Sequence, residues 1–315
     1  MTPGEKSAVK FKIIGLGELL WDLLPGGRQL GGAPANFAYH ASALGAEARL
    51  ISRIGVDELG REALDLLTQR EVQIECIELD PTLPTGTVGV EIGLDGQPQF
   101  QIHQNVAWDA LDVDPLAART IAEADAVCFG SLAQRCDHAR AAIQSMVAAA
   151  PAEALRIFDI NLRQHYYSRR IIEESLALAN VLKVNENELP RLAELLGLPP
   201  GEQSQIAELA ARYELKCLAY TRGGLGSLLY RDGEWSSHPG ISTKIVDTVG
   251  AGDSFTAAMT LGLLAGWELG HVNEMANRVA AYVCSNAGGM PQLPPELRRC
   301  FGPDSIHLPD LAPSH

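Results

Sequence analysis

The chain has 315 residues, 46% hydrophobic and 20% charged, which is enough for one large α/β domain or two smaller ones, with an ample buried core. Its formal charge of −14 argues against a surface built for nucleic acid or anionic membrane, so an anionic substrate needs a local site of positive potential. The opening MTPGEKSAVK lacks the apolar core of a signal peptide, no apolar run is long enough to span a bilayer, and the six dispersed cysteines form no C-x-x-C pair; a soluble cytoplasmic protein with reduced thiols is expected.

In chain order, FKIIGLG (11–17) reads as a strand, WDLLPGGRQLGG (21–32) as a hairpin turning at Pro25-Gly26-Gly27, and APANFAYHASALG (33–45) as a helix. A strand at 48–55 and a helix at 57–72 follow. Residues 85–104 alternate with period two around an LDGQP turn, the pattern of a small antiparallel insertion. Strands are then expected at 125–130, 155–161, 181–185 and 216–221, with helices around 136–149, 168–179, 187–196 and 202–213. Such alternation predicts a mainly parallel sheet covered on both faces, with ligands at the carboxyl ends of its strands. The two hairpin regions, about 18–32 and 84–106, read either as surface hairpins or as a lid over a cleft, because a small β flap needs a partner surface. The proline-rich tail after Cys300 is expected to be loose.

Four stretches carry the chemistry. DTVGAGDSF (247–255) sets Gly250, Ala251, Gly252 and Asp253 at the start of an apolar helical run. Unpaired N–H groups and the helix dipole there favour an anion, while Asp253 either caps the helix or serves a ligand. TRGGLGS (221–227) is a second loop poor in side chains, a β-turn or a close backbone approach. VNENE (184–188) spaces Asn185 and Glu188 so that their oxygens face one spot, suited to hydrated Mg²⁺ or to the positive end of a helix. GGAPANF (31–37) places Gly31, Gly32 and Asn36 at a helix start, for capping or for a hydroxyl-rich ligand. There is no Walker sequence, and GLGELL (15–20) lacks the third glycine of a dinucleotide fingerprint.

Together these stretches resemble the phosphofructokinase-B, or ribokinase-like, family of sugar kinases. GGAPANFA with Gly45 and Gly55 is similar to its first signature, DTVGAGDSFTAA to its second, and NENE to its N-x-x-E magnesium motif. The likeness runs in order from about residue 11 to 295. GELLWDLLP (17–25), IHQNVAWD (102–109) and FDINLR (158–163) add a similarity to bacterial fructokinases.

The resemblance implies a single three-layer α/β/α sandwich with a mainly parallel sheet and a small β-strand lid. It implies an ATP-dependent kinase acting on a ketohexose, most simply fructose, with another sugar, 2-keto-3-deoxygluconate, a nucleoside or a non-catalytic regulator as alternatives. Asp253 would be the base and Gly250, Ala251 and Gly252 the anion hole. Asp22, Gly31, Gly32, Asn36, Trp108 and Arg163 would surround the sugar. Asn185, Thr221, Gly223, Gly226 and Asn277 would approach ATP, and Asn185 with Glu188 would hold Mg²⁺ through water. Asp247 with nearby carbonyls would take K⁺, and two β flaps would pair in a homodimer. From its helix-terminal position Asp253 is expected to ionise easily and to be a feeble base.

Overall fold

The computed structural model describes residues 10–24, 26–92 and 98–301. Pro25, most of the LDGQP turn, the polar start and the tail from 302 onward lie outside them.

Strands β1 (Lys12–Leu16), β2 (Leu20–Leu24) and β3 (Gly27–Gly31) lead into helix α1 (Ala33–Ala43). Then come β4 (Glu47–Gly55), α2 (Glu58–Gln69), β5 (Ile77–Asp80), β6 (Gly86–Ile92) and β7 (Pro98–Ile102). Helix α3 (Pro115–Ala122) precedes β8 (Ala126–Phe129), α4 (Asp137–Ala149), β9 (Leu155–Asp159), α5 (Arg169–Leu178) and β10 (Val181–Asn185). Helices α6 (Glu188–Leu196) and α7 (Glu202–Arg212) lead to β11 (Cys217–Thr221), β12 (Ser227–Arg231) and β13 (Glu234–His238). The described chain finishes with α8 (Ala251–Leu264), α9 (Leu269–Cys284) and α10 (Pro295–Arg299).

The large sheet has the order β13-β12-β11-β10-β9-β8-β1-β4-β5 and is parallel except for β12 and β13. Its strands are apolar on both faces because both are covered. Along β1, Ile13 joins the cluster containing Phe37 and Phe255, whereas Ile14 and Leu16 join the opposite cluster with Ile143 and Leu192. Thus α1, α8 and α9 cover one face and α3 to α7 the other. Helix α8 packs on both α1 and α9, which explains why Ser254–Gly262 is buried without a polar stripe. Among the described residues no helix is long and apolar enough to cross a membrane.

The second sheet has the order β3-β2-β6-β7. The expected antiparallel insertion is present, β6 pairing antiparallel with β7 so that Val88 stands opposite Ile102, and β2 joins β6 in parallel, with Leu20 opposite Gly86 and Asp22 opposite Val88. The reason lies in the large sheet. Strands β1, β4 and β5 run parallel, so the segments leaving β1 and β5 emerge from the same edge in the same direction. The two hairpins therefore fuse into one small sheet above the carboxyl edge.

Candidate active site

A cavity of about 510 Å³ lies between the small sheet and the carboxyl ends of β1, β8, β9 and β10. Chain order reverses between β1 and β8, and a crevice opens where such strands diverge. Glu18, Asp22, Asn36, Arg163, Lys183 and Asp253 bring the charge and polarity to its wall, while Val88 and Ile102 face it from the small sheet.

The first turn of α8 forms the floor. Gly250 is the N-cap with φ 76°, in the left-handed region, and a Cβ there would overlap the Gly289 carbonyl. Of the three amides expected to bind an anion, that of Ala251 bends back to the Thr248 carbonyl at 3.3 Å. Those of Gly250 and Gly252 have no acceptor among the described residues, and neither has the amide of Asp253.

Asp253 is half-buried, and its Oδ2 accepts a 2.8 Å hydrogen bond from Asn36 Nδ2. Its carboxyl is pushed up to about 6, first by burial and then by the Asp159 charge. This corrects the expectation of an easily ionised group: burial and the Asp159 charge outweigh the Asn36 hydrogen bond and the Lys183 and Arg163 cations. Asn36 itself is buried, and its Oδ1 has no partner among the described residues.

Beneath the helix end lies a buried ion pair. Lys183 Nζ donates to Asp159 Oδ1 at 3.1 Å, and Thr256 Oγ1 donates to Asp159 Oδ2 at 2.8 Å. A Cβ on Gly252 would stand 3.0 Å from Lys183 Nζ, so the missing side chain lets the ammonium lie against the first turn of α8. Surrounding carboxylates hold Lys183 well above the usual lysine range despite its burial. It remains cationic in an otherwise acidic chain, and so helps to supply the local positive potential the net charge requires.

Glu18, between β1 and β2, is 1% exposed, and its Oε2 has no partner among the described residues. Burial pushes this carboxyl up to about 7. The folded value exceeds the ordinary one, so its contribution to stability is full below about pH 4.5 and is lost as pH rises through about 7, a swing of roughly 2–4 kcal/mol. Glu18→Gln should therefore gain on wild type in thermal midpoint at pH 8 compared with pH 5. An equal difference at both pH values would contradict this.

The other expected residues divide by position. Asp22 is half-buried on the cavity wall, its carboxyl raised by burial against the lowering effect of Arg163. Gly31 lies beside it without lining the cavity, and a Cβ there would sit 2.8 Å from Asp22 Oδ2. Gly32 lines the wall with φ 105°, where a Cβ would overlap the Glu18 carbonyl. Arg163 reaches the cavity from the loop after β9, exposed, with Nη1 donating to the Leu162 carbonyl at 3.1 Å.

Asn185 ends β10 directly opposite Thr221 of β11, so both stand on the same sheet edge. Asn185 Oδ1 accepts from the amides of Asn187 and Glu188, at 2.9 and 3.0 Å. Glu188 is buried, with Oε1 accepting from Leu162 N at 3.0 Å and Oε2 from Asn185 N at 2.9 Å. Gly223 and Gly226 form the turn after β11; a Cβ on Gly226 would overlap the His238–Gly240 backbone, so that glycine is required by packing.

Trp108, Asn277 and Asp247 are held by contacts within the fold. Trp108 is 1% exposed in the core below the small sheet, with the Arg135 guanidinium 3.9 Å over its ring and Asp109 clamping that Arg at 2.7 Å. Asn277 is buried on α9, where Nδ2 donates to Ser227 Oγ at 2.7 Å and to the Asn273 carbonyl at 2.8 Å. Asp247 gives one oxygen to Val249 N at 3.0 Å and the other to Gly288 N at 2.9 Å, tying together the loops around α8. Among the described residues no group of three or more His, Cys, Asp or Glu could hold a metal ion.

Sequence reasoning missed Glu18, Asp159, Lys183 and Asn161 as members of this region. A charge inside an apolar strand, as at Lys183 in VLKVN and Asp159 in LRIFDIN, was the available signal for two of them. Asn161 lines the cavity with φ 47°, a strained conformation that no composition rule reveals.

The model of the pfkB family carbohydrate kinases matches residues 26–296. The fructokinase of Klebsiella pneumoniae is 32% identical over 269 residues, covering 81% of this chain and 85% of that protein. The fructokinase of Escherichia coli is 30% identical over 301 residues, covering 90% and 96%. An uncharacterized sugar kinase of Pyrococcus horikoshii, solved in complex with ATP, superposes with a TM-score of 0.75 at 28% identity over 88% of this chain and 94% of that one. The fold is ribokinase-like, and the chain belongs to the pfkB family of carbohydrate kinases.

Proposed function

We propose that this carbohydrate kinase transfers the γ-phosphoryl group of MgATP to a primary hydroxyl of a neutral ketohexose, fructose first among them. The observation that carries this reading is the half-buried Asp253 carboxylate beside the unpaired amides of α8, on the floor of a cavity sized for a small sugar. Fructokinase relatives at 32% and 30% identity support the choice of acceptor.

The sugar hydroxyl points at Asp253, which Asn36 orients and which accepts its proton. With a carboxyl near 6, Asp253 is mostly ionised at neutral pH yet a better proton acceptor than an ordinary aspartate. Phosphoryl transfer passes through a loose transition state, so charge stabilisation matters more than base strength. The Gly250, Gly252 and Asp253 amides and the Lys183 ammonium supply it, and Arg163 adds an exposed cation at the cavity mouth. Asp22, Gly32 and Asn36 form the sugar side of the cavity, and the edge bearing Asn185, Thr221 and Gly223 takes the nucleotide.

The Asn185–Glu188 pair fits a hydrated Mg²⁺ and not a closed cage: each Glu188 oxygen accepts one backbone amide and keeps a second lone pair. When bound with ATP, Mg²⁺ neutralises phosphate charge. Each Asp247 oxygen likewise accepts one backbone amide and keeps a second lone pair, so with nearby carbonyls it would hold K⁺. The small sheets act as lids and pair two copies; a monomer by light scattering would remove the second part.

A sugar panel with MgATP tests the acceptor. Ketohexoses should give the highest kcat/KM, roughly tenfold or more above aldoses and sugar acids. A sugar acid or nucleoside as best acceptor would overturn the fructose reading while leaving the kinase intact.

A further inference from the structure

The reaction scheme above leaves the Glu18 carboxyl unused. Glu18 lines the same cavity as Asp22, Asn36 and Asp253, is 1% exposed, and its Oε2 has no partner among the described residues. A buried polar atom without a partner carries a desolvation cost, and this one belongs to a side chain on the wall of a cavity that a ligand can enter. The backbone fixes this one in place. Gly17 adopts φ 142° just before it, Leu19 just after it is fully buried, and Gly32 leaves room for the Glu18 carbonyl.

We propose that Glu18 contacts the acceptor directly, taking one of its non-reacting hydroxyls and excluding acceptors that carry a carboxylate. This deepens the sugar-kinase reading and rests on it. A hydroxyl is both donor and acceptor, so it satisfies the carboxyl in either protonation state. A carboxylate ligand would face Glu18, Asp22 and Asp253 in one cavity. Against them, the lining cations are Lys183, already paired with Asp159, and Arg163 at the mouth. Like charges brought together in a partly desolvated cavity discriminate strongly against the wrong ligand. Neutral polyols are therefore the class this wall selects.

The test begins with the wild-type protein and MgATP, using fructose, other neutral sugars and gluconate as probes. Glu18→Ala and Glu18→Gln are then assayed with the best neutral acceptor, its singly deoxygenated analogues and gluconate. Glu18→Ala should raise the sugar KM roughly tenfold or more and leave the MgATP KM within about twofold. One deoxy analogue should be poor for the wild type yet no worse than the parent sugar for Glu18→Ala, the non-additivity expected of two groups in contact. Glu18→Gln, which keeps the shape, should raise gluconate relative to the neutral sugar by roughly tenfold. A wild-type enzyme active on sugars with an unchanged sugar KM in Glu18→Ala, or with every deoxy analogue affected equally, overturns the role of Glu18 alone. If Glu18→Ala does not fold, an unchanged acid-to-neutral ratio in Glu18→Gln has the same force. A wild-type protein that phosphorylates no sugar overturns this inference together with the function.

Discussion

Asp253→Ala should lower kcat by roughly 10²–10⁴ while the sugar KM stays within about threefold. The carboxylate contributes to the step in which the acceptor loses its proton, and little to holding the ground-state sugar. Removing it leaves the Gly252 amide and Lys183 in place, so a residual rate from charge stabilisation remains. The pH profile is the companion measurement. Asp253 works ionised and its carboxyl lies near 6, so kcat/KM of the wild type should fall as pH drops through about 6. In Asp253→Ala that acid limb should disappear. Steady-state kinetics from pH 5 to 8 would check both, and a variant with near-wild-type kcat would end the assignment.

Lys183→Met should cost roughly 3–5 kcal/mol of stability and most of the activity. The buried Asp159 carboxylate would lose its partner and keep only the Thr256 hydroxyl. An unpaired buried charge is worse than none, so Lys183→Met with Asp159→Asn should recover much of the stability. It should not recover the rate, because the positive charge beneath α8 is still missing. Denaturant unfolding of the three proteins measures the first part. A double variant no more stable than Lys183→Met would show that the pair is not the unit of stability.

Much of the fold was legible because long apolar strands and amphipathic helices leave periodic signals. Strand 181–185 was read with the bounds the structure shows, and helices 136–149, 168–179, 187–196 and 202–213 lie within a residue or so of them. Strand pairing was not legible. The parallel β2–β6 pair depends on the directions in which β1 and β5 leave the large sheet, which no local pattern encodes. The glycines around Asp253 pointed to an anion-binding helix end because the requirement is local: Gly250 needs a positive φ and Gly252 leaves room for Lys183. The charge state of Asp253 was misjudged because burial and the Asp159 charge come from elsewhere in the chain. Trp108 and Asn277 were assigned by likeness, to the sugar wall and to the adenine; their packing with Arg135 and with Ser227 was not legible, because those partners lie far away in the chain. Glu18 escaped notice because an unpartnered oxygen is a property of the whole neighbourhood.

The most direct test of phosphoryl transfer to a sugar held at Asp253 is to quantify ADP and sugar phosphate together after incubating the protein with MgATP and fructose. Equal amounts of both, with little ADP when sugar is omitted, are the predicted result. ADP without a matching phosphate ester, or no ADP with any sugar, would contradict it.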